Sequence, residues 1–238
     1  MSGPRGSSIP GAAAGHAPLP RLNLGHLKTS ARAFARELTA TPISSLYGVT
    51  DGKAVGTYVE GSFNTYIVDR YRHTAGNAAK GIDFTALRVD LKVTSIAQPQ
   101  SSCPFRDATQ KVYGLGYHLL VMVYEKTDDP IETTSTLAIR HVIFIKDKFT
   151  ADQQTTVGLA GILDRGGNVD DIDAFLQERM LPLDDIGRRA LAKRILAEPP
   201  RRGHLTISNA LQWRLQYGHA IRGAQEGAAG LEELVAKQ

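Results

Sequence analysis

The order of apolar and polar positions divides the chain into a run of elements. Leu27, Ala31, Phe34 and Leu38 fall at helical spacing and predict a first helix over 25–40. After a Thr-Pro-Ile-Ser-Ser loop, Val55, Val59, Phe63, Tyr66 and Ile67 form the apolar stripe of a second helix, about 53–72, with Gly56, Glu60 and Asn64 on a different face. The turn-rich stretch HTAGNAAKG follows. Residues 82–96, IDFTALRVDLKVTSI, read as strand, short turn and strand. In the second of these, Val89, Leu91 and Val93 point one way and Arg88, Asp90, Lys92 and Thr94 the other. AQPQSSCPF reads as a loop and RDATQKVYGLG as a short helix ended by glycine. HLLVMVYEK and LAIRHVIFIKDK are nearly continuous apolar runs, as in strands of a sheet covered on both faces, with KTDDPIETTST between them. ADQQTTVGLAGIL, VDDIDAFLQERM and DDIGRRALAKRIL read as helices, the last stopped by Pro199-Pro200. Ser208 is placed to cap a final long helix, NALQWRLQYGHAIRGAQ. The expected fold is α/β: a central mixed β-sheet flanked by helices, with a helical C-terminal region.

Composition adds boundaries. Residues 1–22 are rich in Pro, Gly, Ala and Ser and read as a flexible tail, residues 23–180 as the core domain, and 181–238 as a basic helical region of the same domain. No stretch approaches the roughly 20 apolar residues of a membrane span, and the N-terminus lacks the apolar segment of a secretory signal. No membrane partner and a cytoplasmic location are therefore expected. The single cysteine, Cys103, excludes an internal disulfide and a zinc ribbon. Net charge is only +4, but residues 188–222 hold eight Lys or Arg against one acid, Glu198. That field suits a polyanion, although a solvated helix face is the commoner fate of a charge run.

The chemistry concentrates in 81–92, GIDFTALRVDLK. Phosphodiester hydrolysis needs oxygen ligands for a hard cation, an activated water, and positive charge where the transition state is negative. Asp83 and Asp90 would hold Mg²⁺, and Lys92 would position the water and stabilise the developing charge. Residues 90 and 92 share one strand face, and a short turn would bring Asp83 beside them, with the Leu91 carbonyl as a further ligand. An Asp-x-Lys alone is weak: a surface hairpin with an exposed ion pair would look the same. Its setting on a strand with an apolar back, after a helix bearing Glu60, favours the catalytic reading.

The stretch 53–95 resembles the PD-(D/E)xK nuclease superfamily, in its MutH-like and type II restriction endonuclease branch. The resemblance rests on Gly56 and Glu60 one helical turn apart, then Ala75-Gly76, then Asp83-Phe84, then Asp90-Leu91-Lys92. Ile82 replaces the usual proline, Asp90 stands where MutH has Glu, and the segment between Glu60 and Asp83 is longer. The resemblance implies a restriction-endonuclease-like fold, Mg²⁺-dependent cleavage leaving a 5′-phosphate, and a supporting role for Glu60. The expected activity is thus a type II site-specific deoxyribonuclease acting on double-stranded DNA. A homodimer is expected from the symmetry of a palindromic site. A repair nickase or exonuclease with the same site, and a non-catalytic DNA-binding module, remain open on these residues.

Expected DNA contacts are Gln98, Gln100 and Ser101 in the loop after the Lys92 strand, Gln110 on the helix beyond it, and Arg201, Arg202 and Arg214 in the basic region. For each, an ordinary structural or solvated role is the competing reading. His73 and His118 have no metal-ligand spacing to another His or Cys and are expected to be structural. Gly114-Leu115-Gly116 lacks a third glycine and is no dinucleotide fingerprint.

Overall fold

The computed structural model describes residues 18–73, 82–103, 106–208 and 213–235. The first helix, α1 (Leu24–Thr39), starts where the Asn23 side chain accepts the His26 amide, and buries Leu27, Ala31, Phe34 and Leu38 on one stripe. Helix α2 (Gly52–Val68) is capped in the same way by Asp51 and buries Val55, Val59, Phe63 and Ile67. Both helices cover one face of a four-stranded mixed sheet. Its strands are β1 (Val89–Ser95), β3 (His118–Asp129), β4 (Thr134–Ile145) and the short β7 (Leu231–Glu233), in the order β1-β3-β4-β7. Strands β1 and β3 run parallel; β3–β4 and β4–β7 are antiparallel. The crossover from β1 to β3 carries strand β2 (Gln100–Cys103) and helix α3 (Gln110–Tyr113).

The alternation along the strands is used twice. Leu120, Met122 and Phe144 face Phe34, Phe63 and Ile67 in the helical layer. Leu119, Val121, Val123 and Ile143 face the other way, onto Leu205, Ile207, Leu215 and Tyr217. Burial of both faces explains why β3 and β4 read as continuous apolar runs. The residues on that second face belong to a smaller antiparallel sheet of β2, β6 (Trp213–Gln216) and β5 (Thr206–Ile207), in the order β2-β6-β5, followed by helix α7 (Gly218–Gln225). A third cluster holds α4 (Gln153–Asp164), α5 (Val169–Glu178) and α6 (Asp185–Ala197) together through Leu159, Ile172, Leu176, Leu191 and Ile195. Asp152 ties this bundle to the small sheet: its carboxylate accepts from the Thr155 amide at the start of α4 and from the Ile207 amide in β5, each at 2.8 Å.

The expected mixed sheet between helices is what forms, and three local readings are corrected. The long final helix from Ser208 does not exist. Residues 213–216 are a strand, residues 218–225 are helical, and the Ser208 hydroxyl accepts the Arg214 amide. The spacing fits both periods: Trp213 and Tyr217 satisfy i, i+4, but with Leu215 between them they also alternate as a strand does. The loop after β1 contains β2. The segment 82–88 is not a full strand; Phe84 pairs only with Val89, and a 3₁₀ turn, Thr85–Leu87, fills the space between. Arg21 bridges Arg72 and Leu22 is buried, so packing starts just inside the stretch read as a tail. Most of that tail, and the Ala75-Gly76 pair, lie outside the described residues.

Candidate active site

Phe84 anchors the turn before β1. Its ring is buried and lies 6.0 Å from the Phe63 ring of α2, and its amide donates to the Val89 carbonyl at 2.9 Å. Arg88 closes the turn in the left-handed region, φ 54°, and its guanidinium donates to the Gly116 carbonyl. The chain therefore doubles back, and Asp83 accepts the Leu91 amide through Oδ2 at 2.8 Å. Strand β1 is the outer strand of the sheet. In a strand, a residue's amide and carbonyl point to the same edge. The Leu91 carbonyl therefore opens on the same free edge as Asp83.

Asp90 and Lys92 point away from the helical layer, and Lys92 Nζ lies 2.8 Å from Asp90 Oδ2. Asp90 is 3% exposed. Burial pushes its carboxyl up to about 7, against the attraction of Lys92, and a side-chain hydrogen bond and the charge of Asp83 add to the rise. Burial alone would lower Lys92; the Asp90 charge and hydrogen bond, then Asp83 and Glu60, outweigh it and hold the ammonium above its ordinary value. Glu60, on α2, is raised by burial and then by Asp83, with Lys92 opposing. Glu60, Asp83, Asp90 and Lys92 thus form one coupled electrostatic group, with three carboxylates against one ammonium. Fully ionised, the group would carry two uncompensated negative charges in a half-buried place. A divalent cation meets that deficit, and Mg²⁺ takes one or two carboxylates plus water and phosphate oxygens. Asp83, Asp90 and the Leu91 carbonyl are the oxygens suited to hold it. Among the described residues no three His, Cys, Asp or Glu side chains are grouped closely enough to hold one ion.

The remaining sequence-predicted residues divide. Gln98 is exposed after β1, and Gln100 is half-buried on β2. Ser101 is half-buried, and its hydroxyl lies 2.6 Å from the buried Tyr217 hydroxyl. Gln110 departs from the expected DNA contact: it is buried, donates to the Leu115 carbonyl at 3.1 Å and accepts the Arg106 amide, and so braces the crossover. Arg201, Arg202 and Arg214 are exposed. Arg202 lines a cavity of about 380 Å³ with His204, His219 and Arg222, and Arg201 lines one of about 420 Å³ with Lys148 and Arg194. His118 is structural, accepting the Asp147 amide through Nδ1 at 2.9 Å. Tyr117, which the sequence does not single out, and Tyr217, whose spacing to Trp213 reads as helix packing, have hydroxyls within the field of Asp90 that burial pushes far up. Thr94, on the face expected from the alternation, receives the Gln100 amide on its hydroxyl at 2.9 Å and has the Gln98 and Gln100 carbonyls as alternative acceptors for its own proton.

A family model described as type II restriction enzyme NspV matches residues 21–233. The type II restriction enzyme NspV of Nostoc sp. (strain ATCC 29411 / PCC 7524) is 52% identical over 206 residues, covering 86% of this chain and 94% of the relative. The chain belongs to the NspV family of type II restriction enzymes. No solved structure matches it. The NspV match begins at Arg21, where packing begins, and ends at the last residue of β7. The helical layer, both sheets and the α4–α6 bundle all lie within the matched residues. No helix among the described residues is long and apolar enough to cross a membrane.

Proposed function

We propose that this restriction endonuclease hydrolyses double-stranded DNA at a short sequence with Mg²⁺ held by Asp83, Asp90 and the Leu91 carbonyl, and that it acts as a homodimer. The observation that carries the reading is the convergence of Asp83, Asp90 and Lys92 at the open edge of β1, with Lys92 Nζ 2.8 Å from Asp90 Oδ2 and Asp83 held on the Leu91 amide at 2.8 Å, and Glu60 within their electrostatic reach. A divalent cation there supplies Lewis acidity to the phosphate and lowers the pKa of a neighbouring water. Lys92, held cationic by three carboxylates, places positive charge beside the reacting phosphate and orients the attacking water. Glu60, on α2 and within the electrostatic reach of Asp83 and Lys92, supports the site by helping to order that water. Val89 and Leu91, locked in the core, keep the strand from shifting. Exposed Arg201 and Arg202 contact backbone phosphates.

The test is cleavage of supercoiled plasmid with Mg²⁺, with EDTA, and with Lys92→Ala. Discrete linear fragments in Mg²⁺ alone support the reading. Open circles only would assign a nickase, and intact plasmid across varied sequences would overturn hydrolysis altogether.

A further inference from the structure

The small sheet has two faces of opposite character, fixed by its register. Gln100 pairs with Gln216, Ser102 with Arg214, and Thr206 with Gln216. Directly opposed residues in antiparallel strands share a face, so Gln100, Ser102, Thr206, Arg214 and Gln216 all point to one side. Ser102, Arg214 and Gln216 are exposed there, and Gln100 and Thr206 half-buried. The residues between them, Cys103, Leu215 and Ile207, are buried against the main sheet. The outer face carries no carboxylate. Among the described residues, the side-chain ends of Gln100, Arg214 and Gln216 make no hydrogen bond or ion pair within the protein.

We infer that this outer face reads the DNA sequence in the major groove, with Gln100 and Gln216 recognising adenine edges and Arg214 a guanine edge. The inference rests on the proposed endonuclease function and deepens it by assigning specificity. The chemistry is that of direct readout: a carboxamide pairs bidentately with adenine N6 and N7, and a guanidinium with guanine O6 and N7. Proteins that read DNA with a β-ribbon or β-sheet place strands in a groove, and the major groove is roughly 12 Å wide. Opposed Cβ atoms lie about 5 Å apart, close enough for the two glutamines to address neighbouring base pairs. The face is also fixed relative to the chemistry. Thr94 lies two residues beyond Lys92 on β1, and its hydroxyl is hydrogen-bonded to the backbone of 98–100. Recognition strand and catalytic strand are thereby held as one rigid piece.

The test is sequencing of cut ends from a randomised DNA library, followed by cleavage rates on the preferred site and on each single-base variant of it. The proteins compared are the unmodified enzyme, Gln100→Ala, Gln216→Ala, Arg214→Ala and Arg214→Lys, each checked for an unchanged melting temperature. The expected result is loss of discrimination by roughly 5- to 150-fold at one or two base pairs per variant, at A·T pairs for the glutamines and at a G·C pair for Arg214. Arg214→Lys keeps the charge but not the fork, so it loses discrimination too. If every variant keeps the original base preference at all positions, whatever its rate, the inference is overturned while the endonuclease stands. If the unmodified enzyme makes no site-specific cut, the functional reading falls with it.

Discussion

Asp90 sets the pH behaviour of the site. Its carboxyl is raised to about 7 in the folded chain, against about 3.9 in an unfolded one. A raised carboxyl stabilises the fold fully below the unfolded value. That contribution is lost progressively as pH climbs between the two values, and is gone above about 7. Cation binding needs the ionised form and must displace that proton. Apparent Mg²⁺ affinity is therefore expected to rise up to about tenfold per pH unit below 7 and level off above. Calorimetric titration from pH 5.5 to 8.5 measures this, and Asp90→Asn should flatten the profile; a flat profile in the unmodified protein would contradict the assignment. Lys92→Ala is expected to lower cleavage by roughly 10²- to 10³-fold while leaving sequence-specific binding in Ca²⁺ intact, read by gel shift. These residues were legible because strand alternation fixes which side chains share a face, and a seven-residue return brings a second acid back. Gln110 was not legible: nothing in its neighbours shows that its amide is spent on Leu115 and Arg106.

At the level of elements, helices with a single apolar stripe and strands buried on both faces were plain from the sequence. The short strands were not. Strands β2, β5 and β7 have four, two and three residues, too few for a period to emerge, and β6 carries a spacing compatible with either structure. Their existence depends on tertiary partners such as Asp152. This carboxylate is 1% exposed, and it accepts from Thr155 and Ile207 and faces Arg179 at 3.7 Å. Removing one partner from a buried charged cluster costs about 3–5 kcal/mol. Asp152→Ala should lose that much in urea denaturation, and hydrogen exchange should speed up first in α4–α6. Exchange spread evenly over the main sheet instead would show that the tie is not local. Gly114 gives a sharper case, at φ 91° with any Cβ 2.3 Å from the Asp147 carbonyl oxygen. Gly114→Ala must displace backbone, and should lower the melting temperature by several degrees.

For the molecule as a whole, one layered unit would carry both the proposed recognition face and the chemistry, and the proposed homodimer would bring two such units to the two strands of a palindrome. Sedimentation should find a species of twice 25.8 kDa, and Lys92→Ala mixed with unmodified subunits should yield nicked circles. The layer order was foreseeable from the element sequence; the second sheet was not, since its strands come from segments more than a hundred residues apart. One further consequence follows from where β1 lies. An unpaired sheet margin invites another chain to add a strand, and proteins must blunt such margins to stay dispersed. Here the stopper is Asp83, whose carboxylate occupies the Leu91 amide on the open side. Asp83→Ala should therefore clump on storage more than Lys92→Ala does, as light scattering would reveal, so that the acid proposed to hold the cation would guard solubility as well.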